Sequence, residues 1–149
     1  MISVFRISSA VFPVNSGAGA ALYGGRWNNP GTEVIYVAQS ASLAALEVLV
    51  HYSVLPRNQL LTQIVVPDAR RISRIEVTAL PEDWRSDPPA ASTRAIGDTW
   101  ASRLQTAVLS VPSSTVPGER IFLLNPLHPD FTQIRFLPSA PFHFDARLK

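Results

Sequence analysis

A single mixed α+β domain is what this sequence predicts, on three observations. Short runs rich in β-branched and aromatic residues recur along the chain, among them VIYVA at Val34–Ala38 and IFLL at Ile121–Leu124. Two longer segments place apolar residues at helical spacing, and no internal repeat or low-complexity tract interrupts the alternation. The chain of 149 residues is long enough for one core and too short for two full ones, so residues 1–149 are read as one domain.

Taken in order, Ser3 to Ser8 alternates around Val4, Phe5 and Ile7 and predicts a first strand that carries Arg6. Phe12 to Thr32 holds Gly17, Gly19, Gly24, Gly25, Asn28, Asn29, Pro30 and Gly31, a structured loop presenting Tyr23, Arg26 and Trp27. Val34 to Ala38 is the next strand, with Tyr36 at its centre. A helix capped by Ser40 or Ser42 then runs to about Tyr52. Its residues LAALEVLVHY are apolar except for Glu47 and His51, so it is expected to be largely buried. Leu60 to Val66 predicts a strand ended by Pro67, and Arg71 to Val77 a weaker one. Thr93 to Leu109 carries Ile96, Trp100, Leu104, Ala107 and Val108 at helical spacing, with conversion to strand near Leu109. VPSSTVPGE is a second structured loop, and Ile121–Leu124 and Gln133–Leu137 are strands separated by NPLHPDF.

Composition removes several classes of function. Hydrophobic residues at 46% against charged residues at 16% place the chain far from disordered compositions. The absence of cysteine excludes a disulfide framework, a thiolate zinc site and a cysteine nucleophile, and fits a reducing cytoplasm. Arg6 and the serines near it break the N-terminal apolar run before a signal peptide forms, and no stretch has the length of a membrane helix. A net charge of +2 with a pI of about 9.5 invites a nucleic-acid reading. The densest basic run, Arg70, Arg71 and Arg74, is however interleaved with Ile72 and Ile75 as in a strand with one solvated face.

Chemistry concentrates in Arg26, Tyr36 and Glu47, offered by a glycine-rich loop, a strand and an apolar helix. A guanidinium binds phosphate or ribose oxygens, and a tyrosine ring stacks on nicotinamide. A carboxylate stabilises the oxocarbenium-like ribose that develops as a nicotinamide N-glycosidic bond breaks. The set therefore suits a pyridine dinucleotide. Each residue also has a structural alternative: Arg26 as a surface arginine, Tyr36 as core filling, Glu47 paired with Arg6 or with His51 one turn away. His51 alone, without a second ligand, gives no reason to expect a metal. Ser113, in a Pro-flanked loop, and Asn125, after IFLL, are either ligand contacts or turn residues. GxSxG, HExxH, Walker and GxGxxG templates do not occur.

GGRWN at Gly24–Asn28, IYVA at Ile35–Ala38, ALEVLVH at Ala45–His51, VPS at Val111–Ser113 and LNPLHPDF at Leu124–Phe131 resemble, in this order and across the whole chain, the motifs of RES-domain toxins. FRIS around Arg6 is similar to the family's opening strand. The resemblance implies an ADP-ribosyltransferase-like fold with two small packed β-sheets, flanking helices and NAD between them. It implies Glu47, Arg26 and Tyr36 as catalytic residues, with Arg6, His51, Ser113 and Asn125 as further NAD-binding positions. The activity it implies is NAD depletion by hydrolysis or phosphorolysis, with NAD as substrate, no metal, inorganic phosphate as one acceptor, and a separately encoded Xre-like antitoxin through which any nucleic-acid contact is made. Protein ADP-ribosylation is the nearest rival. A non-enzymatic module binding NAD or nucleic acid is a rival of another class.

Overall fold

The computed structural model describes residues 1–149 as eight strands and three α-helices. The strands are β1 (Ile2–Ser9), β2 (Ile35–Ala38), β3 (Gln59–Val66), β4 (Ile72–Arg74), β5 (Val108–Pro112), β6 (Arg120–Leu124), β7 (Arg135–Phe136) and β8 (Ala140–Phe142). The helices are α1 (Ala18–Tyr23), α2 (Ala41–Leu49) and α3 (Ala91–Ser102). No helix is long and apolar enough to cross a membrane.

The strands form one sheet in the order β4-β5-β6-β2-β1-β3-β7, with β8 also on β3 and only β4–β5 parallel. This corrects the expectation of two separate sheets. The sheet nevertheless has a seam, because β1 and β2 pair only at Phe5↔Ala38, whereas β1–β3 pair along all eight residues and β2–β6 along four. A sheet joined at one pair curls there, and the mixed α+β architecture follows from helices covering the inside of the curl.

Alternation along the central strands sorts the core into two layers. Val34, Ala38, Leu109, Val111, Ile121 and Leu123 face a cluster with Leu43 and Ala44 of α2 and Trp100 and Ala101 of α3. Ile35, Val37, Val108 and Leu124 face the other way, onto Ile134, Phe131 and Phe136. All five residues of β5 are buried, as a strand covered on both faces requires.

Several boundaries move. The loop expected over Phe12–Thr32 contains α1, too short to announce itself by periodicity. α2 starts at the Ser40 cap, whose hydroxyl accepts from Leu43 N at 3.1 Å, and stops at Leu49 rather than Tyr52. It is not buried all round: Leu46 and Val50 face solvent. The second helix ends at Ser102, and Ala107–Leu109 belong to the approach to β5 and to β5 itself. The weak strand shrinks to Ile72–Arg74.

Candidate active site

Glu47 lies near the end of α2, half-buried on the helical side of the sheet. Neither of its expected structural partners holds it. The Ser113 hydroxyl donates to Glu47 Oε1 at 2.8 Å. Ser113 is buried just past β5, and its oxygen also accepts from Thr115 N and Val116 N, so one side chain shapes the loop and fixes the carboxylate. Sequence alternation explains the aim: Leu109 and Val111 point to the α2 side, and Ser113 continues their phase.

Tyr36 projects from β2 to the same side. Its hydroxyl donates to Asn28 Oδ1 at 2.6 Å and accepts from Trp27 N at 3.1 Å. Burial pushes the phenol well above the usual range, so it stays protonated and remains a donor. Gly25 makes this possible, since a Cβ there would sit 2.7 Å from the Tyr36 hydroxyl. Asn28, fully buried, donates Nδ2 to Ala20 O, Asn29 O and Thr32 O, closing the glycine-rich loop on itself.

α3 forms the seat of that loop. Thr93 Oγ1 donates to Arg26 O at 2.7 Å, and Asp98 accepts from Asn29 N at 3.0 Å and Asn29 Nδ2 at 2.7 Å. Gly97 packs directly on the Trp27 carbonyl. Arg26 Nη1 donates to Trp84 O at 3.0 Å and Ser86 O at 2.8 Å. Arg85, between those two carbonyls in sequence, donates Nη2 to Ser114 O at 3.3 Å. A continuous run of contacts thus joins Arg26, through residues 84–86 and 113–114, to Glu47.

The other predicted positions scatter. Arg6 donates Nη1 to the carbonyls of Val14 and Ser16, and burial lowers its pKa to about 10, which leaves it charged at neutral pH. His51 is exposed beyond the end of α2. Asn125 is buried but donates to Ala101 O at 3.0 Å and accepts from Leu127 N at 3.0 Å. It follows β6 beside Ala107, the opposite end of the β5–β6 hairpin from Ser113, roughly 20 Å away at the rise of a strand. The structure therefore brings Arg26, Tyr36, Glu47 and Ser113 to one side of the sheet and leaves Asn125 at the far end. A groove between residues 53–58 and the C-terminal Phe142–Lys149 is lined by none of Arg26, Tyr36 or Glu47.

Sequence reasoning missed Asn28, Thr93, Arg85 and Asp98 as parts of this region. One signal was available: a glycine inside an otherwise regular helix, Gly97, marks close approach of another backbone.

Comparison with known proteins identifies the family. The RES domain family model matches residues 3–145. The chain is 40% identical to the Prs ADP-ribosylating toxin of Sphingobium sp. over 89% of its length and 85% of that protein's. It is 44% identical to Toxin Res of Yersinia enterocolitica over 90% of each chain. A chain of the crystal structure of the M. tuberculosis MbcT–MbcA toxin–antitoxin complex shares the fold, with a TM-score of 0.69 at 20% identity, covering 95% of this chain and 84% of that one. By a family match over nearly its whole length and by these relatives, the protein belongs to the RES-domain family of toxins.

Proposed function

We propose that this RES-domain toxin binds NAD on the α2 side of the sheet and cleaves its nicotinamide N-glycosidic bond. The observation that carries the reading is Glu47, a half-buried carboxylate fixed by Ser113 at 2.8 Å and linked by continuous contacts to Arg26. Arg26 anchors the phosphates or a ribose, and the Tyr36 ring stacks on nicotinamide. As the bond from the ribose C1′ to the nicotinamide nitrogen breaks, its electron pair leaves with nicotinamide and Glu47 stabilises the cationic ribose. Water or inorganic phosphate then forms the new C1′–O bond and releases its proton to solvent. The cleft corresponds, in this reading, to that of an ADP-ribosyltransferase-like fold. The setting is a cytoplasm in which a separately encoded Xre-like antitoxin restrains the activity, which needs no metal.

A second reading has specific support. The Sphingobium relative is named an ADP-ribosylating toxin, and an acceptor side chain in place of water would make this chain a protein ADP-ribosyltransferase. The nucleic-acid reading has less support, because Arg70, Arg71 and Arg74 are each ion-paired with Asp68, Asp130 or Glu76. The test is NAD concentration over time with purified protein, with and without phosphate, beside Glu47→Gln. NAD loss falling by about 100- to 1000-fold in the variant is expected from the removal of one aimed charge. Full activity in Glu47→Gln overturns the assignment. Label transferred from NAD to a lysate protein selects the transferase, and saturable binding without turnover selects a binding module.

A further inference from the structure

Arg85 belongs to none of the motifs above, yet it joins the segment held by Arg26 to the loop of Ser113 and Ser114. Trp84 is only 9% exposed and belongs to the core cluster, so the segment carrying Arg85 has a fixed base. Arg26 clamps the backbone carbonyls on either side of Arg85. The Arg85 guanidinium lies 5.6 Å from the centroid of the Trp84 ring and is exposed to solvent. Its only protein acceptor is Ser114 O, at a long 3.3 Å, beside the serine that holds Glu47.

Neither Arg26 nor Arg85 faces a carboxylate, as Arg70, Arg71, Arg74, Arg120 and Arg147 do. Several other arginines share that lack, but these two meet at one segment, where Arg26 holds the carbonyls that flank Arg85. Arg26 uses only Nη1 toward the protein and Arg85 only Nη2, which leaves Nη2 and Nε of one and Nη1 and Nε of the other without acceptors. Two guanidinium groups with free donors, one holding and one carried by the same short segment, match an anion with several oxygens spread over two centres. Phosphate oxygens are stronger acceptors for a guanidinium than a neutral carbonyl, so the 3.3 Å bond to Ser114 yields to them readily.

We propose that Arg85 is a phosphate-binding residue that, with Arg26, clasps the diphosphate of a nucleotide ligand and sets its ribose beside Glu47. This rests on the NAD reading above but makes a separate claim about binding. The probe is ADP-ribose, titrated calorimetrically into the full chain, together with steady-state NAD kinetics. Arg85→Ala raises the ADP-ribose Kd and the NAD KM at least about 10-fold while kcat stays within about threefold, the signature of lost uniform binding. Arg85→Lys, which keeps charge without the planar fork, falls between. Arg135→Ala, an exposed arginine on β7, changes neither value. Equal ADP-ribose affinity in Arg85→Ala and wild type, or no ADP-ribose binding by the wild type, overturns the proposal. Arg85-dependent ADP-ribose binding without any NAD turnover upholds it and instead removes the catalytic reading.

Discussion

Tyr36 must be small enough at its hydroxyl end to fit against Gly25 and polar enough to satisfy two buried partners. Tyr36→Phe leaves Asn28 Oδ1 without its donor and Trp27 N without its acceptor, at a cost of about 1–3 kcal/mol, or on the order of 5 °C in melting temperature for a domain of this size. The sign of the pH dependence follows from the raised phenol. Its folded-state pKa lies above the unfolded value of about 10, so its contribution is complete below that pH and is lost as pH rises beyond it. Denaturant unfolding at pH 9 and pH 11 should show a smaller loss in Tyr36→Phe than in wild type. Burial of Arg6 acts in the opposite direction at high pH, but both proteins share it, so the difference isolates Tyr36. An unchanged midpoint in the variant would remove the hydroxyl from the account of this loop.

At the scale of elements, α3 shows how a helix far from Arg26 in sequence fixes the loop that carries it. Its Thr93, Gly97 and Asp98 all address the segment Arg26–Asn29. Alanine is ordinarily worth about 1 kcal/mol over glycine in a helix interior. Here a Cβ at residue 97 would lie 1.7 Å from the Trp27 carbonyl oxygen, a backbone atom, so overpacking outweighs propensity. Gly97→Ala is expected to destabilise by about 1–3 kcal/mol and to lower NAD turnover by displacing Arg26; a stabilised variant in thermal melts would refute the close contact. The same element marks the limit of what the sequence discloses. Periodicity found β2, α2, β3 and α3, and the isolated carboxylate of α2 stood out because apolar helices seldom carry one unaided. Contacts between distant segments left no periodic trace. Ser113 meeting Glu47, Arg85 bridging two loops and Asn125 lying at the opposite end of the hairpin from Ser113 are all set by strand order, which local patterning does not encode.

For the molecule as a whole, the governing feature is the seam. Two strand groups, β4-β5-β6-β2 and β1-β3 with β7 and β8, share the single pair Phe5↔Ala38, so side chains rather than a hydrogen-bond ladder hold them together. α2 packs on both β1 and β2 and spans the joint, which places the carrier of Glu47 across the weakest line of the backbone. Arg6 leaves β1 one residue past the pair and ties down Val14 and Ser16, at the entry to α1 and the glycine-rich loop. Its buried charge is tolerated because those carbonyls accept from it, and a leucine would leave them unpaired. Arg6→Leu should therefore cost about 1–3 kcal/mol, a fall on the order of 5 °C in melting temperature. The loss should be local in hydrogen exchange: the Gly17 amide, bonded to Glu33 Oε1 at 3.1 Å, loses protection, while the β5–β6 amides keep theirs relative to global unfolding. A uniform loss across both strand groups would mean that the seam transmits stability as a full ladder does, and that Arg6 supports the entire sheet rather than the loop that carries Arg26.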